Sequence, residues 1–163
     1  MSDPARYRRG FTLTELLVAI VVFALIASVI AAVSVSAARS ARLSKLESRY
    51  LTVSDTVSAA LRDILSGAEF IEQRGDNAVF ISEKYSPCEA SLRSENGVAE
   101  LLVYSGGEPE IFTPLSKESY GGFSLDDLKV SPTDGGFYCS FTLSYGDFSE
   151  STEFSVFSAL GPS

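Results

Sequence analysis

The strongest constraint on the fold is a long apolar stretch, residues 10–35, which carries one acid, Glu15. From Leu16 to Val33 every side chain except Ser28 is apolar. A helix of this length can cross a bilayer, which takes about 20 residues. An ionised carboxylate at the bilayer centre costs roughly 2.5–3.5 kcal/mol, so an acid in such a segment is interpreted first as a functional group with a partner.

The residues that surround Glu15 form a recognisable junction: Gly10, Phe11, Thr12 and Leu13 before it and Leu16, Leu17 and Val18 after it. This junction resembles the prepilin leader junction of the type IV pilin and pseudopilin superfamily. The resemblance implies that a prepilin peptidase cuts between Gly10 and Phe11 and that the new amino group of Phe11 is methylated. It also implies that Glu15 pairs with the terminal ammonium of a neighbouring subunit during filament assembly, which agrees with the need to pair a buried charge.

Charge excludes one class of function. The 163-residue chain has a net charge of -8, and removing a leader, Met1 to Gly10, of charge +2 leaves a mature chain of -10. So acidic a chain is a poor nucleic-acid binder, because phosphate contacts require clustered lysines and arginines.

Charge near the apolar stretch does not decide its orientation. The basic residues are Arg6, Arg8 and Arg9 before it and Arg39, Arg42, Lys45 and Arg49 after it. The positive-inside rule therefore gives no clear answer. The resemblance alone implies a single pass through the cytoplasmic (inner) membrane with the C-terminal domain outside, and later an extracellular or periplasmic filament.

We expect four segments along the chain: a leader peptide at 1–10, a transmembrane helix at 11–38, an amphipathic continuation of that helix at 39–66 and an antiparallel β-sheet domain at 68–163. No Pro or Gly occurs from Phe11 to Ser66, so one helix is predicted from Thr12 to Ser66. Gly67 is a natural residue for a left-handed helix terminus. The pattern predicts an α+β fold class, and the resemblance implies a pilin-like one, with the helix packed on the antiparallel sheet.

The second half of the helix has one apolar stripe at steps of three and four, formed by Leu43, Leu46, Tyr50, Val53, Val57, Ala60 and Ile64. Two interpretations are open, a self-associating coiled coil and a helix that lies on the following sheet. The second is favoured because the stripe lasts only about three heptads.

After Ala68 the sequence has short runs of alternating apolar and polar residues, separated by turn residues, which predict strands. The predicted strands are Glu69–Gln73, Ala78–Ser82, Val98–Tyr104, Glu110–Thr113, Leu128–Ser131, Phe137–Tyr145 and Ser151–Phe157. The last two should form a hairpin through the turn at 145–148. Two stretches are predicted to be irregular, Glu83–Asn96 and Pro114–Asp127.

No residue set indicates catalysis, so an enzyme is not expected. The chain has no histidine, which removes the usual nucleophile–base pairs and imidazole metal ligands. Several acids lie in or near predicted turns, where carboxylate oxygens can bind calcium: Asp126, Asp127, Asp134, Asp147, Glu150 and Glu153. Their spacing matches no calcium loop, so solvated surface acids are favoured and neither a metal nor a cofactor is expected. Four aromatic residues are interpreted as sheet core in preference to contact residues: Tyr104, Tyr120, Phe123 and Phe148.

Cys88 and Cys139 are compatible with one disulfide in an exported domain and equally with two thiols. Two other targeting signals are weak, a twin-arginine signal at Arg8-Arg9 and a signal-peptidase site at Val35-Ser36-Ala37. A secretory hydrophobic region runs about 7–15 residues, and this one is longer and contains Glu15.

The predicted function is that of a minor pilin or pseudopilin, most similar in layout to the J-type pseudopilins of type II secretion. The membrane segment lacks the deep proline of many major pilins, and no cysteine pair closes the C-terminus. The resemblance implies three kinds of partner: other pilin or pseudopilin subunits, the prepilin peptidase and an assembly platform with an ATPase. The alternative is a single-pass membrane-anchored binding or adhesion domain that does not polymerise. Whether a type IV pilus, a type II secretion system or a competence system uses the subunit stays open.

Overall fold

The structure, a computed structural model, describes residues 12–82 and 86–158. Its elements are α1 Leu13–Leu65, β1 Ala68–Arg74, β2 Asn77–Ser82, β3 Ser86–Glu95, β4 Val98–Tyr104, β5 Glu110–Phe112, a 3-10 helix Lys117–Tyr120, β6 Ser124–Thr133, β7 Gly136–Tyr145 and β8 Phe148–Phe157. The predicted α+β, pilin-like layout of one long helix and a mostly antiparallel sheet is confirmed. The chain divides into two compact units, Met1–Leu46 and Glu47–Ser163.

Helix α1 ends where the sequence predicts, because Gly67 takes a left-handed conformation with φ 88°. Most of the predicted apolar stripe is buried from Tyr50 onward, and Val57 and Ile64 are 0% and 1% exposed. Ala60 is only half-buried, and Leu61, which the stripe did not include, is buried at 1% exposure. This half of the helix packs on the sheet, as favoured above. Leu43, at the start of the stripe, is instead 62% exposed.

The sheet has the strand order β5-β4-β3-β2-β6-β7-β8, and β1 pairs with β2 outside this path. All neighbours are antiparallel except β2 and β6, which share one parallel bridge between Asn77 and Val130. The predicted hairpin of β7 and β8 is confirmed, with a register that runs from Gly136↔Phe157 to Tyr145↔Phe148. Strands β5 and β8 are therefore the two ends of the strand path.

The prediction that Glu83–Asn96 is irregular is wrong, because most of it forms β3. Residues 83–85 lie outside the described residues. Strand β3 pairs with β2 on one side and with β4 on the other, so tertiary pairing overrides its weak strand propensity. Ala90 and Leu92 enter the core, at 3% and 0% exposure. Positive φ angles at Asn96 and Gly97, 53° and 79°, form the turn to β4.

The second stretch predicted to be irregular, Pro114–Asp127, is also partly regular. It contains the 3-10 helix Lys117–Tyr120 and the first residues of β6. Tyr120 is 1% exposed, and its hydroxyl accepts a hydrogen bond from the Ala99 amide at 2.9 Å. Phe123 is also buried, which confirms that these two aromatic residues belong to the core.

Three hydroxyl groups join α1 to the last strand inside the apolar interface. The Tyr50 hydroxyl lies 2.6 Å from Thr152 Oγ1, and Ser54 Oγ lies 2.7 Å from the same oxygen. We call this group the Tyr50–Ser54–Thr152 cluster. Because hydrogen bonds are directional and apolar contacts are not, the cluster fixes the position of the helix along the sheet.

Candidate functional site

The candidate site lies at the first turn of α1, where Thr12 and Glu15 form a reciprocal pair of contacts. The Thr12 amide and the Thr12 hydroxyl each donate to Glu15 Oε2 at 3.0 Å. The Glu15 amide donates back to Thr12 Oγ1 at 3.3 Å. This arrangement is a capping box, in which the N-cap residue and the third helical residue satisfy each other's amides.

The capping box fixes the position of the predicted assembly residue. A carboxylate in the first turn also interacts favourably with the positive end of the helix dipole. A carboxylate has about four lone-pair sites, so two bonds from Thr12 leave room for a further donor such as an ammonium group. Glu15 is thus oriented by its own helix and still able to bind a partner.

Next to Glu15, the helix presents an open apolar surface. It is formed by Val18, Ala19, Val22, Phe23 and Ile26, and the Phe23 side chain is 73% exposed. In the described part of the chain, α1 is the one helix that is long and apolar enough to cross a membrane, and its most apolar window is 0% buried. Both lipid tails and the apolar helix of another subunit could cover such a surface.

The residues predicted to flank the cleavage bond, Gly10 and Phe11, lie outside the described residues. Glu15 lies in the capping box with Thr12 at the first turn of α1. The predicted roles of all three residues in cleavage, methylation and assembly remain predictions.

The two cysteines lie in different strands. Cys88 is partly buried in β3, and Cys139 is buried in β7. Strands β2 and β6 lie between these strands in the sheet order, whereas a disulfide requires Cα atoms within about 7 Å of each other. The bridge remains a prediction, which thiol counting can decide.

The acids near the turns do not converge on a metal site in the described residues. In residues 12–82 and 86–158, no group of three or more His, Cys, Asp or Glu side chains is arranged to hold a metal ion. Asp126, for example, accepts hydrogen bonds from the hydroxyls of Ser144 at 2.7 Å and Ser124 at 3.4 Å. Its environment is that of a surface residue on β6.

Comparison with known families identifies the amino-terminal segment. Residues 5–38 match the prokaryotic N-terminal methylation motif. The match supports the predicted resemblance to the type IV pilin and pseudopilin superfamily, and with it a type IV pilin-like or pseudopilin subunit that assembles with other pilin subunits at a membrane. The motif and the apolar helix α1 together fit a single-pass membrane anchor. No curated protein and no solved structure matches the chain.

Thr12 is the site residue that the sequence analysis missed. It was noted only as one position of the leader junction, although Thr12 and Glu15 have the spacing of a capping box, a Ser or Thr followed three residues later by an acid. The methylation motif and the capping box share these two residues.

Proposed function

We propose that the chain is a minor pilin or pseudopilin, built into a filament after cleavage between Gly10 and Phe11. The observation that carries the proposal is the Glu15 carboxylate, held by Thr12 at the start of an exposed apolar helix inside the methylation motif. An acid in this position needs a cation if it is to be buried among lipid or helices. The methylated amino group of Phe11 in a neighbouring subunit would supply that cation.

The capping box gives the pairing a physical basis. Because Thr12 holds Oε2, the carboxylate is already oriented and loses little rotamer entropy when it binds an ammonium group. Removing one partner of a buried ion pair costs about 3–5 kcal/mol, since the other charge stays unpaired. Loss of Glu15 should therefore impair insertion into the filament without affecting the folded sheet domain.

The test is the recovery of the full chain in filaments sheared from its native host. We expect Glu15→Ala and Glu15→Gln to leave leader cleavage intact and to lower incorporation at least about tenfold, the factor that 1.4 kcal/mol gives. Ser28→Ala is the matched control, because Ser28 lies on the same helix and its hydroxyl bonds only to the local Leu25 carbonyl at 2.7 Å. Normal incorporation of both Glu15 variants would refute the pairing role.

Mass spectrometry of the amino terminus separates this proposal from the non-polymerising anchor. A chain that begins with methylated Phe11 supports the filament subunit. A chain that still begins with Met1 or Ser2 supports the single-pass anchored domain, because the amino group that pairs with Glu15 would then not exist.

A further inference from the structure

A short basic segment follows the apolar part of α1. Arg39, Arg42 and Lys45 lie within one compact unit with the apolar stretch, and all three are exposed. No acid occurs between Leu16 and Leu46. The three cations therefore have no acidic neighbour along their own part of the helix.

The spacing places the three cations on one side of the helix. At 3.6 residues per turn, successive steps of three residues spread them over an arc of about 120°. Arg49, the next cation, is engaged differently, because it donates to the Gly121 carbonyl at 2.7 Å and lies 5.9 Å from the centre of the Tyr145 ring. The basic segment thus ends at Lys45.

The length of the apolar run sets the distance between the basic segment and the bilayer. The apolar run Leu16–Val33 is about 27 Å long at 1.5 Å per residue, close to the hydrocarbon thickness of about 30 Å. Arg39 follows Val33 by about 9 Å, which is just beyond the outer edge of the headgroup layer, since the headgroups add about 5–7 Å to the hydrocarbon on each side. Lys45 lies about 9 Å beyond Arg39, so the distance from its backbone to the headgroup layer is comparable with the Debye length of about 10 Å at moderate salt.

The direction of the side chains shortens the distance between the three cationic groups and the lipid headgroups. In an α-helix the Cα–Cβ bonds tilt toward the amino terminus. Here the amino terminus is the side of the apolar stretch, so the long arginine and lysine stems extend back toward the headgroups. Such stems commonly lie along apolar surface while the charged group reaches the polar layer.

We propose that Arg39, Arg42 and Lys45 form a binding site for the phosphate headgroups of anionic phospholipids at the membrane surface. A guanidinium group binds phosphate through two parallel hydrogen bonds, and a lysine ammonium binds it as a point charge. The proposal rests on the membrane anchor and not on polymerisation. It therefore stands or fails independently of the pairing role of Glu15.

The uneven distribution of charge along the chain indicates a second candidate partner for the basic segment, which competes with the lipid. Residues 47–163 carry a net charge of -12, whereas residues 39–46 carry +3. An acidic domain of a second copy could also attract the basic segment. The lipid is favoured because the length of the apolar run places the cations within side-chain or Debye range of the headgroups before any other subunit arrives.

The test uses the full chain reconstituted in bilayers of phosphatidylcholine with a small fraction of spin-labelled lipid. Electron spin resonance measures how strongly labelled phosphatidylglycerol is immobilised relative to labelled phosphatidylcholine. We expect an association ratio of about five, the factor given by one cation acting on one lipid, and a decrease of this ratio at high salt. Arg39→Gln, Arg42→Gln and Lys45→Gln combined should lower the ratio to about one.

A matched variant with Arg74→Gln, Lys117→Gln and Lys129→Gln removes the same charge from the sheet domain and should keep the ratio. A wild-type ratio near one would overturn the proposal, as would equal effects of the two triple variants. Carbodiimide coupling of Lys45 to an acid of a second copy, without preference for phosphatidylglycerol, would assign the segment to a protein contact instead.

Discussion

At the scale of single residues, the structure shows how the carboxylate of Glu15 is oriented. The sequence predicts that Glu15 is functional, because an acid inside an apolar helix requires an explanation. The presence of an acid in the apolar segment does not by itself show which groups hold the Glu15 carboxylate. The structure shows that Thr12 orients it through two bonds at 3.0 Å. The capping spacing was available in the sequence, whereas the bonds depend on where α1 begins.

Cys139 is the second residue whose environment has a measurable consequence. Burial raises the pKa of its thiol to about 12. The thiolate is the reactive species, and its fraction at pH 8 is roughly a thousandfold smaller at a pKa of about 12 than at about 8.5. Because a more basic thiolate is also more nucleophilic, Cys139 should react with a thiol reagent at least about tenfold more slowly in the folded protein than in the unfolded protein. Stopped-flow measurement with Ellman's reagent, with and without denaturant, tests this expectation.

The same experiment decides the predicted disulfide. Two thiols counted in denaturant without reductant would exclude a bridge between Cys88 and Cys139. No thiol before reduction and two after it would establish the bridge and would contradict the slow-thiol prediction. Cys139→Ala assigns the slow phase to this residue.

At the scale of elements, periodicity predicts the regular parts and tertiary pairing decides the rest. The strict alternation of β7 identifies its buried face, with Phe137, Phe141 and Leu143 at 1%, 1% and 0% exposure. Strand β3 escapes prediction because Ser86–Glu95 lacks β-branched and aromatic residues, and its two neighbouring strands supply the pairing. The Asn96-Gly97 pair is a typical hairpin signal in the sequence, and it marks the turn between β3 and β4.

The start of β7 gives a prediction at this scale. A Cβ atom at Gly136 would overlap the Val156 carbonyl oxygen and approach the Phe157 Cα to 3.0 Å, and both belong to the paired strand β8. Gly136→Ala should therefore lower the free energy of unfolding by about 2 kcal/mol, as overpacking against backbone does. Urea unfolding of the full chain in detergent micelles, followed by near-UV circular dichroism, measures the change.

Gly107→Ala is the matched control for that variant. No atom lies within 4 Å of a Cβ built at Gly107, and its φ angle is not positive. The control should stay within about 0.5 kcal/mol of the wild type, as surface substitutions usually do. Equal stability of the two variants would show that β7 and β8 can separate locally at no cost.

At the scale of the whole molecule, buried ionisable groups make the sheet domain sensitive to alkali. Burial raises the pKa of the Tyr120 hydroxyl, and it raises the pKa of Cys139 to about 12. In the unfolded chain a cysteine ionises near pH 8.5 and a tyrosine near pH 10. Above these values the unfolded state has lost protons that the folded state retains, so stability falls as pH rises.

The contribution of Cys139 can be isolated under reducing conditions. Between about pH 9 and pH 11, the wild type should lose up to about 1.4 kcal/mol per pH unit more than Cys139→Ala does. Parallel urea titrations at several pH values give both slopes. Identical slopes would mean that the thiol is already ionised in the folded domain, contrary to its burial.

The Tyr50–Ser54–Thr152 cluster also has a mechanical consequence. Its two hydroxyl contacts, at 2.6 and 2.7 Å, join the helix to β8, and β8 is hydrogen-bonded to β7 along its whole length. Sliding of α1 along the sheet would therefore have to break these two contacts or carry Thr152 with it, and Thr152 lies inside a strand that is paired along its length. The cluster thus acts as a mechanical link between the helix and the β7–β8 hairpin.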